Sequence, residues 1–168
     1  MKQMIKKMSD AGYQALKARE GLRLTAYRCQ AGKLTIGWGH TDGVRPGQKI
    51  TEAQACGLLA ADVLPLERHL KKLQESDGVK LKQNEYDALI SFIFNVGQKA
   101  FQISTMRKKL VAGRPAEEIA AEFEKWVYVT VTETNTMPDG TIDTQTRKVV
   151  SKGLQTRRQG EKAQYLGA

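Results

Sequence analysis

Glu20-Gly21-Leu22-Arg23-Leu24-Thr25-Ala26-Tyr27, followed by Leu34-Thr35-Ile36-Gly37-Trp38-Gly39-His40-Thr41, is the stretch on which the fold turns. Its first residue reads as the end of a helix and the remainder as extended chain. Ser9 is a helix-capping residue type, the apolar positions Tyr13 and Leu16 fall three apart with Glu20 four further on, and Gly21 supplies a stop. Glu20 is therefore expected on the buried face of the last helical turn. From Leu22 to His40 short extended runs are broken by Gly32, Gly37 and Gly39, the pattern of a small antiparallel sheet with tight turns. Strand alternation puts Thr35, Gly37 and Gly39 on one face of that sheet and Leu34, Ile36 and Trp38 on the other.

Working outward, Asp42-Gly43 and Pro46-Gly47 mark a loop. Thr51 with Gln54 makes a capping box, and Ala55, Leu59, Val63, Leu66, Leu70 and Leu73 trace one face of a long helix, with a kink expected at Pro65, that joins two lobes. Glu85 to Val96 is apolar nearly all round and reads as the buried central helix of the C-terminal lobe, ended by Gly97. Two further helices are expected, from Ser104 to Ala112 with Gly113 as stop, and from Pro115 in the first turn to about Trp126. Val127, Val129 and Val131 alternate with Tyr128, Thr130 and Thr132, and Met137-Pro138-Asp139-Gly140 supplies turn chemistry before Thr141 to Val150 runs back as a β-hairpin. A last helix from about Leu154 to Tyr165 closes the chain. The expected class is α+β, mainly α: one domain spanning 1–168, with an N-terminal lobe at about 9–50, a connecting helix at about 51–76, and a C-terminal lobe at about 77–168 carrying the hairpin at about 127–150.

Composition narrows the partners. The chain has 168 residues, 40% of them hydrophobic and 27% charged, enough for one sizeable core. No stretch approaches the roughly 20 apolar residues that span a bilayer, so stable membrane insertion is not expected. The basic start from Met1 to Met8 is followed by no apolar run and no small-residue cleavage site, which predicts no exported leader. Two cysteines, Cys29 and Cys56, are too few for a disulfide framework and lack the spacing of a zinc site. They suit a reducing cytoplasm, although a single bridge between them stays open. His40 and His69 form no ligand pair, so no metal and no cofactor are expected, and His40 reads as a structural residue that orients the hairpin through a ring hydrogen bond. The net charge of +9 favours an anionic partner. Nucleic acid is a poor fit, because the chain has no glycine-and-aromatic stacking platform or zinc-finger motif and its basic residues are spread out.

Hydrolysis of a glycosidic bond needs a carboxylic acid still protonated near neutral pH and a second group that handles water or the sugar cation on the other face. Glu20 suits the first role, since desolvation on the apolar side of a helix and the negative end of the helix dipole both favour a protonated carboxyl. A helix-end Glu paired with a nearby Arg is an equal reading of that feature alone. Thr35 beside the bare backbone of Gly37 and Gly39 offers a hydroxyl to orient a water where a sugar ring can approach closely; a Gly-rich hairpin with no ligand explains the same spacing. Trp38 and Trp126 read as core residues rather than sugar-stacking platforms. Arg107-Lys108-Lys109 and Arg157-Arg158 read as solvated faces, with one arginine available to pair with Glu20.

The quoted stretch closely resembles the phage lysozymes, glycoside hydrolase family 24. That family's order is a catalytic Glu, an Asp nine residues later, and a Thr six beyond that in a T-[IV]-G-x-G-H stretch. Glu20 and Thr35 fall on the pattern, and Cys29 stands at the Asp position. The resemblance continues through Phe94-Asn95-Val96-Gly97, Phe101 with Ser104-Thr105, and Gly153-Leu154 to Arg157-Arg158, Glu161 and Tyr165, covering most of the chain. It implies a two-lobe lysozyme fold and carries the family's cleft positions onto Thr41, Phe94 and Ser104; on local evidence Phe94 and Ser104 are equally a core residue and a helix cap. The segment from Val127 to Val150 departs from the commoner members, in which a shorter linker leads from the Trp to the Gly-Leu-x-x-Arg-Arg motif.

The activity implied is an endolysin's hydrolysis of the β-1,4 bond between N-acetylmuramic acid and N-acetylglucosamine in bacterial peptidoglycan, with Glu20 as acid, Cys29 as base or nucleophile and Thr35 placing water. Inversion, also implied, needs the two catalytic groups about 6.5 to 9.5 Å apart. A thiol is mostly protonated at pH 7 unless its surroundings favour the thiolate, so a wall-binding protein weakened in catalysis is the competing expectation. The resemblance further implies a monomer held in the host cytoplasm until a holin or other release system admits it to the cell wall.

Overall fold

A computed structural model describes residues 4–29 and 31–168. The basic opening stretch read above lies partly outside the described residues. Among those described, the elements in chain order are α1 (Asp10–Glu20), β1 (Arg23–Arg28), β2 (Leu34–Gly37), α2 (Glu52–Ser76), α3 (Gln83–Val96), α4 (Gln98–Ile103), α5 (Thr105–Val111), α6 (Ala116–Phe123), β3 (Tyr128–Thr136), β4 (Ile142–Val150) and α7 (Lys152–Leu166). This is the mainly helical α+β arrangement expected, with two separate two-stranded antiparallel sheets. No described helix is long and apolar enough to cross a membrane.

Local chemistry sets most boundaries. Ser9 caps α1 by accepting from the Gly12 N–H, and Gly21, at φ 70°, ends it. The Thr51–Gln54 capping box opens α2, which continues through Pro65. Two boundaries move. Pro115 takes the N-cap rather than the first helical turn, and α6 stops at Phe123, so Trp126 lies beyond it on a short turn. The short α4, between Gly97 and Ser104, was not anticipated: six residues are too few to show a periodicity.

The core forms around α3. Residues Glu85 to Ile93 are all buried, and Leu89, Ile90, Phe92 and Ile93 are fully so. Each such apolar side chain contributes roughly 1.5–3 kcal/mol. The Phe92 ring meets Phe101, Phe123 and Trp126 edge-on at centroid distances of 6.5, 5.2 and 5.4 Å. Trp38 is buried as well, so both tryptophans pack as expected of core residues. One face of α2 carries Ala55, Leu59, Val63, Leu66, Leu70 and Leu73 inward as read.

Two buried carboxylates fix how α3 meets the chain's two ends. Asp87 accepts from the Ser9 backbone N–H at 3.0 Å, from the Ser9 hydroxyl, and from Gln83 Nε2 at 2.9 Å, tying α3 to the start of α1. Glu161 on α7 is fully buried; its Oε1 accepts from Ser91 Oγ at 2.8 Å and from Arg157 Nε at 3.0 Å, and its Oε2 is held by Arg158. Arg158 also donates to Asn95 Oδ1 and, at 3.0 Å, to the Trp126 carbonyl. The solvated face expected for Arg157-Arg158 is thus corrected: Arg158 is 1% exposed, because Glu161 one helical turn later neutralises it in place.

β3 and β4 pair in unbroken register from Tyr128↔Val150 to Thr136↔Ile142, around the turn chemistry read at 137–140. This hairpin stands out from the core, with Tyr128 and Ile142 56% and 70% exposed.

Glu161→Ala leaves Arg158 buried and unpaired and is expected to cost about 3–5 kcal/mol in a urea unfolding curve. Two glycine substitutions should move in opposite directions. A Cβ on Gly12 would stand 2.6 Å from Asp87 Cγ, whereas one on Gly57, inside α2, meets nothing within 4 Å. The helix-propensity gain of up to about 1 kcal/mol therefore appears in Gly57→Ala, while Gly12→Ala is expected to lose about 1–3 kcal/mol by displacing Asp87. Equal thermal shifts in the two variants would contradict this packing.

Candidate active site

Glu20 ends α1, and its side chain is 17% exposed. Its two carboxylate oxygens have different surroundings. Oε1 lies 2.7 Å from Nη1 of Arg157 on α7. That approach is off the hydrogen-bond direction, so Oε1 has an ion-pair partner without a directed hydrogen bond. Oε2 faces the backbone of Gly39: a Cβ there would sit 3.3 Å from Oε2 and 3.7 Å from Cε1 of Phe94. The acid and arginine-paired readings of Glu20 are therefore compatible, because the arginine occupies one oxygen and leaves the other toward bare backbone.

The floor is smaller than alternation suggested. Gly37 faces Ala55 of α2, whose Cβ a methyl at Gly37 would approach to 3.4 Å, and Gly39 alone faces Glu20. Both glycines have positive φ, 66° and 85°, and the chain turns after β2 toward the Ile36↔His40 bridge. Two-residue periodicity holds only while the backbone stays extended. His40 has the structural role expected of it: its ring bridges the Asp62 carboxylate of α2, through Nδ1 at 2.9 Å, and the Asp42 carbonyl, through Nε2 at 2.8 Å. Asp62 was not singled out in the sequence; its position off the apolar face of α2 gave no sign of a partner.

Cys29 follows β1 and is a free, half-buried thiol. The Lys33 backbone N–H favours its thiolate most, desolvation opposes this, and the Ala31 N–H and the Thr35 hydroxyl add to it, so the thiol titrates below its ordinary range. Thr35 is buried on β2, where its Oγ1 also donates to the Lys33 carbonyl at 3.2 Å. One hydroxyl proton serves both acceptors, so donation to Sγ and to that carbonyl alternate. Cys56, the other free thiol, accepts from Lys17 Nζ at 3.3 Å.

The structure thus gathers Glu20, Gly39 and Phe94 in one group and Cys29 with Thr35 in another. Phe94 is partly buried and packs on the core edge. Ser104 is spent as a cap: its hydroxyl donates to the Phe101 carbonyl at 2.7 Å and accepts from the Arg107 N–H at 3.1 Å. Thr41 is exposed, one residue past the His40 bridge. A groove of about 690 Å³ between the end of α2 and α4–α5, lined by His69, Asp77 and Arg107, contains none of these residues. Glu161, which orients Arg157 toward Glu20, received no role from the sequence, although its spacing of three and four from the two arginines was a usable signal.

Residues 17–161 match the family model described as phage lysozyme. An endolysin of Acyrthosiphon pisum secondary endosymbiont phage 1 is 38% identical over 161 residues, covering 96% of this chain and 99% of that protein. Among solved structures, the muramidase domain of SpmX from Asticaccaulis excentricus superposes with a TM-score of 0.79 at 33% identity, covering 96% of this chain and 99% of that one. An endolysin from Escherichia coli O157:H7 phage FAHEc1 superposes with a TM-score of 0.77 at 37% identity, covering 99% and 96%. With a family match across most of its length and a helix-ending glutamate set against a bare glycine turn, this chain belongs to the phage lysozyme family.

Proposed function

We propose that this glycoside hydrolase of the phage lysozyme family cuts the β-1,4 bond between N-acetylmuramic acid and N-acetylglucosamine, with Glu20 as general acid and the Cys29 thiolate as general base. The observation that carries this reading is the division of labour at Glu20: Arg157 takes Oε1, and Oε2 faces Gly39, which has no side chain. Oε2 delivers its proton to the glycosidic oxygen as the bond breaks. A water oriented by Thr35 gives a proton to Cys29 Sγ while its oxygen bonds to the anomeric carbon from the opposite face, which inverts the configuration. The lowered thiol pKa supports Cys29 in this role, because more of it is thiolate at neutral pH than in an ordinary cysteine. Phe94, beside Gly39, forms a wall of the sugar site, with Thr41 and Ser104 at its margins. The chain works as a monomeric single domain, with its two lobes on either side of the cleft, and needs no cofactor. It waits in the host cytoplasm until a holin or other release system opens the inner membrane.

Turbidity of purified cell walls, with new reducing ends counted, tests the chemistry. Glu20→Gln is expected to lower the rate roughly 10²- to 10⁴-fold, the scale of a lost general acid. Clearing by wild type without reducing ends, or full activity in Glu20→Gln, would sink the assignment. Cys29→Ser should also lose most activity, while Cys29→Asp restores it. If the thiolate is the base, the wild-type rate rises with pH as Cys29 ionises, and that limb moves to lower pH in Cys29→Asp, whose carboxyl ionises earlier. A first-formed α-anomeric product marks inversion; a β-anomer would make Cys29 a nucleophile instead. Cells producing the protein alone should stay intact until their inner membrane is permeabilised.

A further inference from the structure

Helix α2 buries one face and leaves the other in water. Opposite its apolar stripe, Ala60, Leu64, Arg68, Lys71 and Glu75 follow one another at spacings of four and three, so they share the outward face. The first half of that face carries no charge. Gly57, Ala60, Ala61, Leu64 and Pro65 are all exposed, Leu64 by 43%, and Asp62 beside them is turned to His40. The second half is basic, with Arg68, Lys71 and Lys72 all exposed. Apolar surface and cations are thus sorted along one helix face rather than interspersed.

The chain ahead of α1 extends this face. Met4, Lys6 and Lys7 join Leu64, Arg68 and Lys71 around a hollow of about 300 Å³. The two carboxylates at the hollow are already engaged: Glu67 is buried and accepts from the Met8 N–H at 2.8 Å, and Glu75 lies 3.7 Å from Lys71. Among the described residues this leaves Lys6, Lys7 and Arg68 without a carboxylate partner, beside a leucine and a methionine. None of the residues assigned above to the sugar site lines this hollow.

We propose that this face binds the surface of an anionic phospholipid bilayer, an inference independent of the muramidase reading. A helix lying in a membrane interface turns apolar groups toward the acyl boundary and lysines and arginines toward the surrounding phosphates, which is the arrangement here. The long stems of Lys6, Lys7, Arg68 and Lys71 let their charges reach the headgroups while Leu64 and Met4 enter beneath them. A soluble polyanion would match the cations and leave Leu64 and its alanine neighbours facing water. A second copy of this chain would set the same cations against one another or against the uncharged Ala60 and Ala61. The hold is peripheral, since no described helix is long and apolar enough to cross a membrane, and it weakens with salt.

Co-sedimentation of the full chain with vesicles tests this, using phosphatidylcholine alone and phosphatidylcholine with about 30% phosphatidylglycerol, at about 0.1 M salt. Wild type should partition to the anionic vesicles only. Each cation at the surface is worth roughly fivefold in partitioning, so Lys6→Glu combined with Arg68→Glu should lower it roughly 25-fold or more. Lys108→Glu combined with Lys152→Glu makes the same change in net charge on α5 and α7, and should lower it far less. Leu64→Asn, which keeps every cation, should lower it about threefold. Glu20→Gln should bind as wild type does, so a failure of the catalytic assignment leaves this result readable. The proposal is overturned if wild type does not partition or binds neutral vesicles equally, if the two double variants lose binding equally, or if Leu64→Asn binds unchanged. Capture by a polyglutamate chain in place of the vesicles would also overturn it, marking an acidic protein as the partner.

Discussion

A carboxylate at 0% exposure, Glu161, is the constraint from which the rest of the site follows. Burying such a charge costs several kcal/mol unless both oxygens are hydrogen-bonded, and here Ser91 and Arg157 reach one and Arg158 the other. Each partner ties down another element. Ser91 fixes α7 on α3 and also accepts from Arg19 of α1 at 3.1 Å. Arg158 reaches the Trp126 carbonyl, where the helical part hands over to the hairpin. Arg157, aligned by its Nε bond to Glu161 and by donation to the Ser91 carbonyl at 3.1 Å, has one nitrogen left for Glu20. The geometry at the Glu20 end of α1 is thus set from the last helix of the chain, about 140 residues away.

An arginine beside a carboxylate can engage both of its oxygens as a bidentate pair. Here it approaches only one oxygen, off the ideal direction, and the other points toward Gly39. Glycine is required at that turn on two counts, a φ of 85° and a Cβ position only 3.3 Å from the carboxylate. At the end of β1, neighbouring backbone N–H groups and the Thr35 hydroxyl favour the Cys29 thiolate over the thiol.

The hairpin obeys different physics. It contributes little to the core, and its stability comes from unbroken register, cross-strand pairs such as Val129↔Val149, and a turn in which the Asp139 side chain accepts from the Thr141 N–H at 2.9 Å. The core constrains neither of its faces, and the acids of its strands lie on one while six threonines lie on the other.

Much of this was legible in the residues alone. Caps at Ser9 and Thr51, stops at Gly21 and Gly97, the apolar stripe of α2 and the wholly apolar α3 are local signals, and local signals set helix limits. The hairpin was equally plain, since alternation and turn chemistry act over a few residues. The Glu20–Tyr27 and Thr35–Thr41 motifs pointed to the family, with Cys29 as the departure from its pattern, because short motifs record chemistry directly. What the sequence could not determine was direction and partnership: which oxygen of Glu20 Arg157 would take, that Gly37 would face Ala55 while Gly39 faced the acid, and that Arg158 would be buried rather than solvated. Those outcomes depend on contacts between residues far apart in the chain, where burial removes the water that would otherwise satisfy each charge and obliges it to find one particular partner.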